Sequence, residues 1–276
     1  HTRLDRCVPE TAVFALGTMA HRPRRTMSDV TVEFDEDIAT ITLRRPDHLN
    51  ALTLASLNQL RDAALLVASS DARAVVLCGE GASFCAGIDL ATFKELASSD
   101  PEQRYDGAAL GGEVAAAIES MPQPSVAALH GNVVGGGVVL AAACDFRIAD
   151  ADTVFSIPEI DLGIPLAWGG LPRLVREIGP MRAKELVMTG RPFSADEALA
   201  HGLVTAVAQP GEALGVATDL AERLADKAKF PIATMKRHVA EIAAHDDSRD
   251  DTLGLVAALE DPEAAQHRVA YIRSFE

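Results

Sequence analysis

The sequence predicts an α/β protein with a helical C-terminal region, and three observations carry that reading. Two short β-rich runs, VTVEF (30–34) and IATITL (38–43), flank Asp35-Glu36-Asp37 in the manner of a hairpin. Two further runs, RAVVLC (73–78) and SVAAL (125–129), are continuously apolar, as expected of strands buried on both faces of a sheet. Helical patterns lie between them: Leu54, Leu57 and Leu60 recur at helical spacing within 53–68, and an amphipathic stretch runs from about 107 to 120. Strands alternating with helices argue for a layered α/β core.

Beyond residue 180 strands become scarce. Ser194 and Glu197 have the spacing of a capping box, and Gly202 ends the helix they open. Long helical patterns cover about 212–228 and 232–245, and Asp261-Pro262 opens a last helix. The α/β core is therefore expected over 27–190 and a helical region over 191–276. Residues 1–26 read as an N-terminal extension, either from an upstream start codon or non-native; a basic targeting peptide is the sharper alternative, which Asp5, Glu10 and the lack of a clear amphipathic pattern disfavour. These residues begin with His1, carry Arg3, Arg6, Arg22, Arg24 and Arg25, and precede Met27, where the domain pattern starts.

Composition narrows the function. A formal net charge of −15 disfavours nonspecific binding to nucleic acid or anionic membrane, although local cations and helix N-termini can still hold phosphates. Cys7, Cys78, Cys85 and Cys144 form no CxxC pair and no metal-ligand spacing with histidine, so no metal is expected and a reducing cytoplasm fits. Cys78 and Cys144 sit in apolar runs and read as small core residues. No apolar stretch reaches the roughly 18 residues needed to span a bilayer. HExxH, GxSxG and P-loop lysine motifs are absent from the sequence.

Three segments carry the chemistry. In GEGASFCAGIDL (79–90) a buried strand ends in glycines that let a ligand approach the backbone, unless this is a plain strand-to-helix loop. In HGNVVGGGVVLAAACD (130–145) Gly135, Gly136 and Gly137 precede an apolar helix. Free N–H donors and a partial positive charge there suit an anion or a developing oxyanion; the alternative is a tight packing corner. In DTVFSIPEIDLGIPLAWGG (152–170) Glu159 follows Pro158 in an apolar stretch. If buried, its pKa rises and it is poised for proton transfer; otherwise it is a solvated turn residue.

Together these segments resemble the enoyl-CoA hydratase/isomerase (crotonase) superfamily. The signatures are RPDHLNAL (45–52), CAGIDL (85–90), HGNVVGGG (130–137) with ACD (143–145), PEIDLGI (158–164) and TGRPFSADEALAHGLV (189–204), spanning about Met27 to at least Val207. The resemblance implies a spiral of β-β-α turns, a helical trimerisation region, and a homotrimer or dimer of trimers. It implies an acyl-CoA substrate with no other cofactor, since coenzyme A is part of that substrate. It assigns Ile88 and Gly136 as the two main-chain donors to the thioester oxygen. It makes Ala86, Asp89 and Leu90 candidate walls of the CoA site, beside Gly135, and it puts Lys94 nearest to where a phosphate-binding lysine stands in the family.

One departure bears on the reaction. Two-carboxylate hydratases of this superfamily carry a glutamate three positions after the middle glycine, where this chain has Val139, and a second at Glu159. With Glu159 alone, the resemblance points to Δ3,Δ2-enoyl-CoA isomerisation. The alternatives are a hydratase working with one glutamate, a non-catalytic acyl-CoA-binding protein, and another crotonase chemistry such as thioester hydrolysis or dehalogenation. Asp161, Asp145 and His130 invite a second-acid role. Asp161 lies two residues past Glu159 and is expected to face away from it, however. Asp145 reads as a cap or buried acceptor, and His130 as a structural histidine ending a strand. Trp168 is assigned either to the acyl pocket or to a core or subunit interface.

Overall fold

The computed structural model describes residues 24–243, 256–257, 259–260 and 262–275. A seven-stranded sheet forms the scaffold. It is built from β1 (Arg24–Thr26), β2 (Val30–Asp35), β3 (Ile38–Leu43), β4 (Ala74–Gly79), β5 (Ser125–Leu129), β7 (Phe146–Asp150) and β10 (Ala206–Ala208), adjacent in that order. The first three strands pair antiparallel. From β3 onward every pairing is parallel. A smaller sheet holds β6 (Asn132–Val134), β8 (Val154–Ser156) and β9 (Phe193–Ser194).

The parallel strands are buried on both faces, and their residues sort by period two. On β4, Val75 and Leu77 belong to the main core with Leu57, Leu60 and Val67 of α1 (Leu54–Ala68). Ala74, Val76 and Cys78 face the other way, onto Ala213, Ala217, Ala221 and Ala225 of α7 (Ala213–Ala225). Four alanines at every fourth position let that helix approach closely. Helix α1 starts where its cap dictates: Thr53 accepts from Ser56 N at 3.0 Å, and Ser56 Oγ accepts from Thr53 N at 2.7 Å.

Several boundaries differ from the sequence reading. Residues 24–26 belong to the sheet, not to an extension, because the outer edge of β2 offers unpaired backbone that β1 satisfies. The segment after 190 is not purely helical: β10 extends the sheet beside β7, and α7 covers its second face. The three-residue run AVA is too short to show a strand period. A helix α2 (Leu90–Ser98) stands where only a loop was expected, capped by Asp89, which accepts from Ala91 N and Thr92 N, both at 3.0 Å. Helix α3 (Pro101–Glu119) begins earlier than expected, at an Asp100-Pro101 start where Asp100 accepts from Glu102 N (3.1 Å) and Gln103 N (3.0 Å). Half of the capping box forms at α6 (Ala195–His201): Ser194 Oγ accepts from Glu197 N, but the Glu197 carboxylate is taken by Arg191. The remaining helices are α4 (Gly136–Ala143), α5 (Gly170–Thr189), α8 (Lys229–Ala243) and α9 (Pro262–Arg273). Cys7, Asp261 and the end of the pattern at residue 245 lie outside the described residues. No helix among the described residues is long and apolar enough to cross a membrane.

The parallel edge is tied down by Asp150. At the end of β7 its carboxylate accepts from Gly211 N (2.9 Å), Glu212 N (3.1 Å) and Ala213 N (2.8 Å), capping α7 from another element. Asp150→Ala removes the acceptor for three backbone donors, the one at Ala213 buried. It is expected to cost about 1–2 kcal/mol, read as a lower urea midpoint with an unchanged m-value.

Candidate active site

The site forms where the loops after β4 and β5 meet, at the carboxyl ends of parallel strands. Asn50 shapes the first loop. Its backbone is left-handed (φ 56°), its Oδ1 accepts from Arg45 N at 2.8 Å, and its Nδ2 donates to Glu80 O at 2.9 Å and Ser83 O at 2.8 Å. The chain then runs beside β6. Cys85 N donates to Asn132 O (3.2 Å), Val134 N donates to Cys85 O (2.9 Å), and Leu52 N donates to Gly87 O (2.7 Å). A Cβ on Gly87 would sit 2.8 Å from Val134 O and 3.5 Å from Gly136 N. The residue before Ile88 thus abuts the first residue of α4. Gly136 N belongs to a helix N-terminus, where backbone N–H groups lack partners within the helix.

Ile88, Gly136 and Glu159 line one cavity of about 50 Å³. Among the described residues Glu159 is its sole titratable lining residue; the others are apolar or glycine, from Ile88, α2, α3, α4 and the segment 162–168. Glu159 lies in a 3₁₀ turn, Pro158–Ile160. The residue is half-buried, but its Oε2 is closed off from solvent and has no hydrogen-bond partner. Burial pushes the carboxyl up to about 7, outweighing the lowering effect of its own backbone N–H. A side chain on Gly135 (φ 50°) would collide with the Glu159 carboxylate, so this glycine makes room for the acid. A side chain on Gly136 would collide with the Trp168 ring.

The other expected residues divide. Val139 and Trp168 line the cavity with Glu159. Ala86, Asp89, Leu90 and Gly135 are not among its lining residues. Ala86 N donates to Leu49 O (3.0 Å), and Asp89 caps α2 and faces Arg45 at 3.6 Å. The Arg45 charge and these N–H donors hold its carboxyl below the usual range despite desolvation, which opposes them. Lys94 borders a neighbouring cavity of about 290 Å³ together with Arg268 and Arg273 of α9. The two cavities share Phe93. None of the alternative acids reaches the Glu159 cavity. Asp161 is exposed. Asp145 accepts from Ser125 N (2.7 Å) and pairs with Lys236 (2.8 Å). His130 Nε2 lies 3.0 Å from Gly81 O. Cys78, Cys85 and Cys144 are buried free thiols, and burial raises the pKa of each.

Sequence reasoning missed the walls supplied by α2 and α3: Phe93, Leu96, Gly107 and Ala108. A signal was available in Gly107 and Gly111. Two glycines four apart in a helix disfavour it by propensity and so mark a face where something packs closely. The arginines of α9 carried no local pattern pointing to the site.

The family model for enoyl-CoA hydratase/isomerase matches residues 33–255. A crotonyl-CoA hydratase of Syntrophomonas wolfei is 37% identical over 240 residues, covering 84% of this chain and 91% of that protein. A mitochondrial Delta(3,5)-Delta(2,4)-dienoyl-CoA isomerase of Mus musculus is 35% identical over 231 residues, covering 79% and 69%. The crystal structure of a protein from Streptomyces coelicolor, described as an enoyl-CoA hydratase, superposes with a TM-score of 0.77 at 32% identity, covering 95% of this chain and 97% of that one. The chain is an enzyme of the enoyl-CoA hydratase/isomerase family, with the crotonase fold.

Proposed function

We propose that the chain catalyses Δ3,Δ2-enoyl-CoA isomerisation with Glu159 as its single acid/base. The Glu159 carboxylate takes a proton from C2 of a 3-enoyl-CoA, and the electron pair delocalises onto the thioester oxygen as the double bond shifts. The protonated Glu159 then returns the hydrogen to C4, leaving the 2-enoyl isomer. The backbone N–H groups of Ile88 and Gly136 hold the oxygen while it carries charge. One donor of this kind is worth about 3–4 kcal/mol in the transition state. Proton movement of this sort balances without a cofactor beyond the coenzyme A of the substrate.

One observation carries the choice of reaction: among the described residues Glu159 is the sole titratable group lining the cavity, and Val139, on α4, lines it where a second carboxylate would be needed to hold a water. Glu159 Oε2 has no competing hydrogen bond, and a pKa near 7 suits both taking and returning a proton at neutral pH. For the rest of the substrate, we place the CoA phosphates toward Lys94, Arg268 and Arg273, with Ala86, Asp89 and Leu90 along the adenine side. A homotrimer or dimer of trimers belongs to the same reading. Its support is the exposed apolar row Phe230, Met235, Val239 and Ile242 on α8, a surface that a partner subunit would cover. Hydration is a second reading, favoured by the name of the Syntrophomonas wolfei relative. With one positioned carboxylate it is expected about 10²–10⁴-fold below a two-carboxylate rate.

Purified enzyme offered trans-3-hexenoyl-CoA and crotonyl-CoA distinguishes these readings. Isomerisation should dominate and fall by about 10²–10⁴-fold in Glu159→Gln. Its kcat/KM should rise with pH through about 7, as the base ionises. Rapid hydration of crotonyl-CoA with slow isomerisation would refute the assignment drawn from Val139.

The same variant should be more stable than wild type at alkaline pH. A carboxyl whose folded pKa lies above its unfolded value binds more protons when folded, so stability falls as pH rises from about 4.5 to about 7. Glutamine removes that fall, a gain of about 3 kcal/mol above pH 7 and little below pH 4.5. Thermal melts of both proteins across this range check it.

A further inference from the structure

Trp168 is the one tryptophan of the chain, and its backbone is left-handed (φ 59°), an uncommon conformation for a bulky side chain. A specific device holds it there. Arg173 Nη1 donates to Trp168 O (3.1 Å) and to Gly169 O (3.0 Å). A Cβ on Gly169 would sit 2.5 Å from Arg173 Nη1, so the next residue has to be glycine. Arg173 is itself buried, and its Nη2 pairs with Glu119, the last residue of α3; Arg176 pairs with the other oxygen of the same carboxylate. The turn carrying Trp168 is thereby strapped to the end of α3.

The indole is wedged between two helices at positions that have no side chain. A Cβ at Gly111 of α3 would collide with its five-membered ring, and one at Gly136 of α4 would collide with its six-membered ring. The ring therefore closes the cavity beside the Gly136 N–H. Toward α3, Leu96 fills the space at Gly107, where a Cβ would meet Leu96 Cδ1 at 2.5 Å. What remains is about 50 Å³. A single water needs roughly 10–15 Å³ on that scale, so the space admits a few heavy atoms and no long chain.

We propose that Trp168 is the chain-length stop of the acyl site, making the enzyme selective for short acyl groups, and that Arg173 and Glu119 are the positioning residues that keep the stop in place. The proposal rests on the assignment of Glu159 and Gly136 to the acyl end of the substrate.

Binding of saturated acyl-CoAs tests it without turnover, so its outcome is separate from that of the isomerase assay. Butanoyl-CoA and dodecanoyl-CoA are titrated by calorimetry, and into wild type also by tryptophan fluorescence, which reports from this ring alone. Butanoyl-CoA should perturb the emission and bind at least about tenfold tighter than dodecanoyl-CoA. Trp168→Ala should reverse the preference, and Trp168→Phe should narrow it. Arg173→Met and Glu119→Gln should shift the emission to the red and narrow the preference, a change that general loss of stability would not produce. Equal affinity of wild type for the two ligands, or an equal loss for both in Trp168→Ala and Trp168→Phe, would overturn the proposal.

Discussion

The interaction on which the site depends is a missing one: Oε2 of Glu159 is closed off from water without a hydrogen-bond partner, in a cavity whose other described lining residues are apolar or glycine. Desolvation alone makes its charged form costly, and the carboxyl rises toward neutrality as a result. Gly135 has no side chain to contest the space, and the 3₁₀ turn after Pro158 aims the carboxylate inward. A second acid at Val139 would change this balance, since two close carboxylates cannot both ionise readily.

The rest of the fold supplies rigid backbone around that acid. Neighbouring parallel strands, packed by α1 on one face and α7 on the other, carry the two loops whose main chains converge. The loops are joined to each other by main-chain hydrogen bonds, from Cys85 to Asn132 and from Val134 to Cys85. Gly135 and Gly136 are each constrained by a neighbour that a side chain there would meet, Glu159 and Trp168.

Much of this was legible in the sequence where the signal is local. Strand β5 appears at 125–129 as read, α1 spans Leu54–Ala68 within the helical pattern read at 53–68, and the half-buried Glu159 lines an apolar cavity. The illegible parts are non-local. Asp150 caps a helix that begins 63 positions later, and Arg173 meets Glu119 across 54. Strand β10 is three residues long and is specified by the edge it joins, not by its own pattern. The confinement of Trp168 between Gly111 and Gly136 has no signature at any single position. It follows only from bringing α3 and α4 together.

The most direct test of this account is the ionisation of Glu159 itself, followed by carboxyl carbon chemical shift or by the infrared band lost in Glu159→Gln. The account expects a midpoint at about 7, with the protonated form present on the acid side. A midpoint in the ordinary carboxylate range, near 4.5, would mean that the side chain is solvated and would contradict the central claim.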